Sequence, residues 1–211
     1  SRDPFFSIAT FGWSFARFKM RGYDSQYWEN YMNGAPIDYI DNGFGAYSLW
    51  SGLNDVTRNR TNYIGIKSNP LTFGALGGTY SIDTRASKQR KQLSVATAFS
   101  NRTYTNRMMI TYGSGITKKG WAFAASLTGR LAKEGYVDGT NYQSLSYFLS
   151  IEKVMAKNSI SLTAFGAPTK NGKTTPVEQQ FYDLAGSNYY NPNWGWQDGK
   201  KRNAREGYRH Q

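Results

Sequence analysis

The second half of the chain alternates large apolar residues with small polar ones. A period of two is the pattern of a β-strand that has one apolar and one polar face. Because the links between the runs are short, neighbouring runs are expected to pair as antiparallel strands. The pattern therefore predicts an all-β region of consecutive strands, at residues 93–100, 107–112, 121–131, 144–152 and 159–164.

The composition of the two faces differs from that of a soluble β-sandwich. A soluble sheet hides its large apolar residues and exposes Lys and Glu, whereas the second face here consists of Ser, Thr and Ala. Small hydroxyl residues suit a wall that faces a polar, filled lumen, with Leu, Phe and Ile turned toward lipid. Trp121, Tyr112 and Tyr142 lie near strand ends, where a membrane barrel carries its aromatic girdle; an ordinary core aromatic is the alternative for each.

The first part of the chain is organised by turn residues. An irregular aromatic lead is expected to precede a strand at residues 15–21, and later strands are predicted at 63–67 and 79–83. Glycine permits positive φ, and Asn-Gly followed by Pro is a strong signal for a hairpin turn. The turns are Arg21-Gly22, Asn33-Gly34 with Pro36, Asn69-Pro70 and the glycine cluster of residues 73–78.

These pieces, in this order and spacing, resemble the second half of the plug domain of TonB-dependent outer-membrane receptors. The family pattern runs from an Arg-Gly-aromatic segment through a strand ending Asn/Asp-Gly-x-Pro to a strand before Pro. A Gly-Gly turn then precedes the last plug strand. Residues 55–59 and 83–87 look most like the receptors of Bacteroidetes-type bacteria. The chain departs from the pattern at Gly65 and Lys67, where many members alternate hydrophobic and acidic residues.

The resemblance implies an all-β fold in which a plug-domain sheet is followed by antiparallel strands of a transmembrane β-barrel. Residues 1–88 would form the C-terminal part of the plug, and residues 89–211 an incomplete barrel of about five strands. Receptors of this family are several times longer, so the chain is expected to be a fragment. Extracellular links are expected at 101–106, at 133–141 and in a long loop from about residue 168, with periplasmic turns at 113–120 and 155–158.

The function that the resemblance implies is active import of a nutrient across the outer membrane of a Gram-negative bacterium. TonB would act through a segment missing here and would rearrange the plug with energy from the inner-membrane proton gradient. Outer-membrane lipid and lipopolysaccharide are further expected partners. A surface lipoprotein that covers the barrel, as in some related systems, is kept as an optional partner. The nutrient can be a siderophore, cobalamin, a glycan or a peptide. No enzyme activity, cofactor or nucleic-acid partner is expected.

Substrate contacts are expected in two groups of loop residues. In the family, the loops that follow the Arg-Gly-aromatic and Asn-Gly-x-Pro segments help to bind substrate. Mixed aromatic and polar side chains suit recognition by stacking and hydrogen bonding. For each residue, a solvated loop position is the plain alternative. The candidates are Asp24, Ser25, Gln26, Tyr27, Tyr39, Asp41, Asn42, Phe44 and Tyr47 in the plug loops, and Tyr189, Tyr190, Trp194 and Trp196 in the outer loop.

Several other classes of site receive little support. No apolar run approaches the roughly 20 residues of a membrane helix, whereas a barrel strand needs only about 9–11 residues with alternate ones apolar. The chain has no Cys and a single His, His210, so neither a disulfide framework nor a His-rich metal site is expected. Its clustered carboxylates lie in glycine-rich loops, which support paired-carboxylate catalysis poorly. They are Asp24, Glu29, Asp38 and Asp41.

The net charge of +12 raises an alternative reading. The excess is local: residues 1–88 hold nine Lys/Arg against seven Asp/Glu, and the remainder holds seventeen against seven. It gathers at residues 88–91 and 200–209. The alternative kept open is a soluble β-rich binding module for polysaccharide or single-stranded nucleic acid. Its ligand would stack on Tyr189, Tyr190, Trp194 and Trp196 beside the basic tail.

Overall fold

The computed structural model describes residues 22–47, 49–70, 72–100 and 104–209. The predicted aromatic lead and the strand at residues 15–21 lie outside this part of the chain. Of Ser25, Tyr208 and Arg209 only the backbone is described. Within these residues the fold is mostly β, as the alternation predicted, and its strands pair mainly in antiparallel fashion.

A four-stranded sheet forms the N-terminal part. Its order is β2-β1-β4-β3, and the pairing of β1 with β4 is parallel while the other two pairings are antiparallel. The predicted Asn-Gly turn joins β1 to β2: Asn33 and Gly34 have φ of 52° and 87°, as a tight hairpin turn requires. The strands are β1 (Trp28–Met32), β2 (Ala35–Pro36), β3 (Arg60–Ile64) and β4 (Gly78–Ile82).

Strand β3 lies earlier than the predicted strand at residues 63–67. It ends at Ile64 because Gly65 adopts a φ of 71°, which is incompatible with a continuing strand. The Gly65 N–H donates instead to the carbonyl oxygen of Gly77 at 3.1 Å. The glycine cluster therefore closes the loop between β3 and β4, and the last predicted strand is found at Gly78–Ile82.

Residues 46–57, of which residue 48 is not described, are named the linking segment. They follow β2 in the chain and pack between the small sheet and a second, larger sheet. It forms turns rather than strands, for example through the Thr57 N–H bond to the carbonyl of Leu53 at 3.2 Å. Its apolar side chains form a core with residues of both sheets. That core comprises Met32, Ala46, Trp50, Leu53, Val56, Ile82, Ala86, Ala122, Ala124 and Phe148.

The large sheet contains all five strands that the alternation predicted. Its order is β13-β10-β8-β7-β6-β5, with β9 also paired to β8, and every pairing is antiparallel. Within the described residues the sheet is open, with β5 at one edge. Its strands are β5 (Gln92–Phe99), β6 (Asn106–Gly113), β7 (Trp121–Ala132), β8 (Tyr142–Val154), β9 (Ser159–Gly166), β10 (Thr169–Gly172) and β13 (Glu206–Arg209).

Strands β9 and β10 are two parts of one extended segment along β8. Gly166 pairs with Tyr147 and Thr169 pairs with Ser144, so the register continues across the break. Pro168 interrupts the ladder because it has no N–H, although its carbonyl still accepts the Leu145 N–H at 3.2 Å. The strand therefore extends beyond residue 168, where the outer loop was expected to begin, and ends at Gly172.

The segment from residue 173 to 205 carries structure of its own. It contains helix α1 (Gln179–Ala185), which ends at Gly186 in the left-handed conformation, and a hairpin of β11 (Trp194–Gln197) and β12 (Lys200–Asn203). The chain then returns to the large sheet as β13, beside β10. No helix within the described ranges has the length and apolar character to cross a membrane.

The two faces of the large sheet differ as the alternation predicted. On β7, Phe123 and Leu127 are exposed while Ala124 and Thr128 are buried, and β8 repeats the pattern. Fifteen large apolar side chains of β5 to β9 are between 41% and 82% exposed, whereas Met109, Tyr142 and Phe148 on the other face are buried. The exposed ones are Leu93, Val95, Phe99, Met108, Ile110, Tyr112, Trp121, Phe123, Leu127, Leu131, Leu145, Tyr147, Leu149, Ile160 and Leu162.

Candidate functional site

The plug-loop candidates are tied to β1 by a hydrogen-bonded group of three side chains. The Asn30 backbone N–H donates to Asp38 Oδ2 at 2.8 Å, and Asn30 Nδ2 donates to Asp38 Oδ1 at 2.6 Å. The Tyr47 hydroxyl donates to Asn30 Oδ1 at 3.3 Å. Burial raises the pKa of Asp38, although the two bonds from Asn30 act in the opposite direction. Both carboxylate oxygens of Asp38 are thus engaged in holding the loop of residues 38–47.

The tip of that loop is a compact turn with a polar end. Asp38 and Gly45 form a bridge, and the Tyr39 N–H donates to the carbonyl of Phe44 at 2.9 Å. Asn42 Oδ1 accepts the Phe44 N–H at 3.0 Å, so the side chain of Asn42 shapes the turn. Asp41 and Asn42 are exposed, while Tyr39 and Phe44 are half-buried.

The structure brings together the two N-terminal loops in which substrate contacts are predicted. A Cβ at Gly43 would lie 3.5 Å from the carbonyl oxygen of Gln26, an ordinary van der Waals distance, so the two loops lie side by side. In the first loop, the Tyr27 N–H donates to the carbonyl of Asp24 at 3.0 Å, and the Tyr27 ring meets Tyr23 edge-on at 6.1 Å. Tyr27 and Tyr47 keep exposed rings. Burial raises the pKa of Tyr47, and the nearby Asp38 carboxylate adds to this, so the hydroxyl stays a neutral donor.

Trp194, one of the four outer-loop candidates, has a packing role. A Cβ at Gly139 would lie 2.2 Å from the Trp194 ring, so this ring rests directly on the glycine backbone. The Lys201 ammonium lies 5.4 Å from the centre of the same ring. Trp194 thereby fixes the β11–β12 hairpin on the loop between β7 and β8.

The other three outer-loop candidates are accessible. Tyr189 meets Tyr136 edge-on at 6.1 Å and remains exposed. Tyr190 is 37% exposed, and Trp196 is 75% exposed. These rings, above all Trp196, offer free faces for stacking on a ligand.

Three asparagines, which sequence reasoning did not single out, hold the outer loop in place. Asn191 Nδ2 donates to the carbonyl of Asp138 at 2.8 Å, and Asn203 Nδ2 donates to that of Gly139 at 2.8 Å. Asn193 Nδ2 donates to the carbonyl of Lys173 at 3.0 Å. A high Asn content beside aromatic residues was the only signal in the sequence. The Asn191 and Asn203 contacts attach the outer loop to residues 138–139, whereas the N-terminal loop of residues 38–47 is attached to β1, so the described contacts define two groups.

Side chains on the polar face of the large sheet donate hydrogen bonds to backbone carbonyls of the linking segment. The carbonyl of Gly52 accepts Thr128 Oγ1 at 3.0 Å and an Arg107 nitrogen at 3.2 Å. The carbonyl of Ser51 accepts an Arg130 nitrogen at 3.1 Å and Ser146 Oγ at 2.6 Å. Sequence reasoning missed these contacts because the residues at 51–52 belong to no periodic pattern.

Neither the metal-binding residue types nor the comparison with known proteins indicates a further site. No group of three or more His, Cys, Asp or Glu side chains that could hold a metal ion occurs in the described part of the chain. No protein-family model matches the chain, and no curated protein and no solved structure matches it. The geometry and the sequence patterns are therefore the basis on which function is inferred.

Proposed function

We propose that the chain is part of a TonB-dependent outer-membrane receptor that imports a nutrient. In this proposal the small sheet and the linking segment belong to the plug, and the large sheet is part of the barrel wall. The observation that carries the proposal is the polarity of the large sheet, whose apolar face is exposed and whose polar face is covered.

The exposed face is costly in water. Burial of apolar surface contributes about 25 cal/mol per Å², and continuous apolar patches larger than a few hundred Å² are unusual on monomeric soluble proteins. A row of Leu, Ile and Phe side chains across β5 to β9 makes such a patch. Against hydrocarbon the same face carries no such cost, and this supports placement in a membrane.

The covered face supports the plug assignment. Most of its residues are small or charged, with Met109, Tyr142 and Phe148 as large buried exceptions. The linking segment presents backbone carbonyls to this face, for example Gly52 to Thr128 and Ser51 to Ser146. The hydrogen bonds between this face and the linking segment suit a plug that must move during transport, because hydrogen bonds can exchange with water at modest net cost.

The open sheet supports the inference that further strands complete the barrel. In lipid, each unsatisfied backbone group costs several kcal/mol, so an open edge is not stable there. We infer that the additional strands, an export signal and the segment that binds TonB are supplied by the same polypeptide. The plug loops around Tyr27, Asp41 and Tyr47, with Tyr189 and Trp196 of the outer loop, would then contact the nutrient.

The experiment is to express the complete reading frame in a Gram-negative host and to separate the membranes. The protein is expected in the outer-membrane fraction, and its folded form is expected to migrate differently on a gel before and after heating. A monodisperse protein in detergent-free buffer would instead favour the soluble binding module, whose ligand would stack on Tyr189 and Trp196.

A further inference from the structure

The turn between β6 and β7 presents two adjacent exposed lysines, Lys118 and Lys119, at one end of the large sheet. The turn is fixed by its backbone. The Thr117 N–H donates to the carbonyl of Trp121 at 2.7 Å, and the Gly120 N–H donates to that of Thr117 at 2.8 Å. Gly120 adopts a φ of 75°, and a Cβ there would lie 2.4 Å from the carbonyl of Val154. Both lysines therefore project from a rigid corner.

An apolar groove lies directly beside these lysines. The rings of Trp121 and Phe123 are stacked, with centroids 6.2 Å apart and planes 13° apart. The Lys153 ammonium lies 5.1 Å from the centre of the Trp121 ring and donates to the carbonyl of Lys119 at 2.5 Å, which joins the groove to the turn. The groove is lined by Thr117, Lys118, Lys119, Trp121, Phe123 and Ile151.

The positive charge of this rim is not neutralised by the protein. Among the described residues, no carboxylate lies within 4.0 Å of the ammonium group of Lys118 or Lys119. The two turns at this end, residues 113–120 and 155–158, contain Lys118, Lys119 and Lys157 but no Asp or Glu. Lys91 packs beside Gly115 of the same turn. A fixed cationic corner next to an apolar groove complements a ligand with an anionic head and an apolar chain.

We propose that this rim binds an anionic phospholipid. The phosphate lies between the ammonium groups of Lys118 and Lys119, and an acyl chain lies along Trp121, Phe123 and Ile151. Lysine binds phosphate as a point charge, and an aromatic ring suits the boundary between headgroup and acyl chain. The inference rests on the proposed function, because only a sheet that enters a bilayer meets such a lipid, and the turn would then face the inner leaflet of the outer membrane.

The test uses the protein produced from its complete reading frame and purified in detergent. It is titrated with phosphatidylglycerol and, separately, with phosphatidylcholine, and bound lipid is counted by native mass spectrometry. The double variant Lys118→Gln/Lys119→Gln is expected to bind phosphatidylglycerol about thirtyfold more weakly, because each lysine near an anionic lipid surface contributes about a factor of five. Its binding of phosphatidylcholine should be unchanged.

The matched control is Lys133→Gln/Lys173→Gln, which removes the same charge from exposed positions at the opposite end of the sheet. This variant is expected to bind phosphatidylglycerol like the parent protein. Equal weakening in both double variants, or in neither, would overturn the lipid site. The outer-membrane fractionation of the parent protein is scored separately: absence from that fraction rejects the proposed function, whereas a correctly inserted protein with unchanged lipid binding in the Lys118/Lys119 variant rejects only the lipid site.

Discussion

The carboxylate of Glu152, on the covered face of β8, accepts the backbone N–H of Ser87 at 2.8 Å. Glu152 is 1% exposed, and Ser87 lies in the short 3-10 turn that follows the small sheet. This bond joins the N-terminal part of the chain to the large sheet, at the end opposite the outer loop. Because the carboxylate is buried, its removal leaves the Ser87 N–H without its acceptor in a site closed to water.

The Glu152→Ala variant is therefore expected to loosen the N-terminal part from the sheet. Loss of a buried hydrogen-bond partner costs about 1–3 kcal/mol. The measurement is the free energy of unfolding in urea, together with the rate of proteolysis within residues 22–88. Glu178→Ala, at an exposed carboxylate, is the control and should change neither quantity by much. Equal effects of the two substitutions would show that the Glu152 contact does not secure the N-terminal part.

Gly52 gives a second test of the same interface. Its φ is 93°, and a Cβ there would lie 2.8 Å from Ser146 Oγ and 3.1 Å from the Arg130 guanidinium. Gly52→Ala is expected to destabilise the protein by about 1–3 kcal/mol, since an L-residue is strained in this backbone conformation. Gly195→Ala is the control, because open space surrounds that position. Thermal unfolding of both variants provides the comparison, and a neutral Gly52→Ala would place the linking segment elsewhere.

The membrane assignment can be tested with two equally exposed apolar residues. Leu127 is 50% exposed in the middle of β7, and Ile116 is 57% exposed in the turn before it. In water, substitution of either residue by Lys would be nearly neutral. In a bilayer, Leu127→Lys is expected to cost about 2–4 kcal/mol, and Ile116→Lys about 0–1 kcal/mol near the interface. Refolding into lipid vesicles measures this difference, and equal costs would argue against a lipid-facing sheet.

The sequence was informative where a pattern repeats and uninformative where a contact joins distant residues. Alternation such as Leu127 beside Thr128 was enough to predict the strands and their two faces, because the side chains of a strand point to opposite sides. Asn33-Gly34 likewise predicted its turn. Strand β13, which has four residues, and the continuation past Pro168 were missed because neither shows a run long enough to alternate.

The candidate site was predictable only as a set of loops. Interleaved aromatic and basic residues predict Trp194 as a binding residue. The structure adds that its ring packs on Gly139, a contact across 55 residues that no local pattern encodes. The same holds for Tyr39, which packs against the core. Trp196 and Asp41, by contrast, are exposed as the loop assignment expected. Which loop residues remain accessible depends on the tertiary contacts.

Acid sensitivity should depend on Asp83. Burial acts to raise its pKa, but hydrogen bonds from Arg85 at 2.6 and 2.9 Å and the nearby positive charges lower it overall. A lowered pKa stabilises the fold at pH values above the unfolded-state pKa of about 3.9. This stabilisation is lost as the pH falls through the folded-state pKa. Asp83→Asn should therefore flatten the acid side of the stability profile, by under about 1 kcal/mol because the pair is partly exposed.

Asp38 provides the comparison of opposite sign. Burial raises the pKa of Asp38. Its contribution to folding stability is therefore present at pH values below the unfolded-state pKa and is lost as the pH rises through the folded-state pKa. Asp38→Asn should remove a slope of the opposite direction from that removed by Asp83→Asn. Urea unfolding between about pH 3 and 6 measures both slopes. If both substitutions changed the slope of stability against pH in the same direction, the opposite pKa shifts of Asp83 and Asp38 would be contradicted.

The two tryptophans of β11 should separate packing from binding. Trp194 rests on Gly139, so Trp194→Ala is expected to release the hairpin and to increase amide exchange over residues 189–203, by about 1–3 kcal/mol of local stability. Trp196→Ala removes an exposed ring and should leave amide exchange unchanged. If Trp196 stacks on the nutrient, this variant alone reduces uptake without loosening the loop. Increased exchange in Trp196→Ala would instead assign that ring to packing.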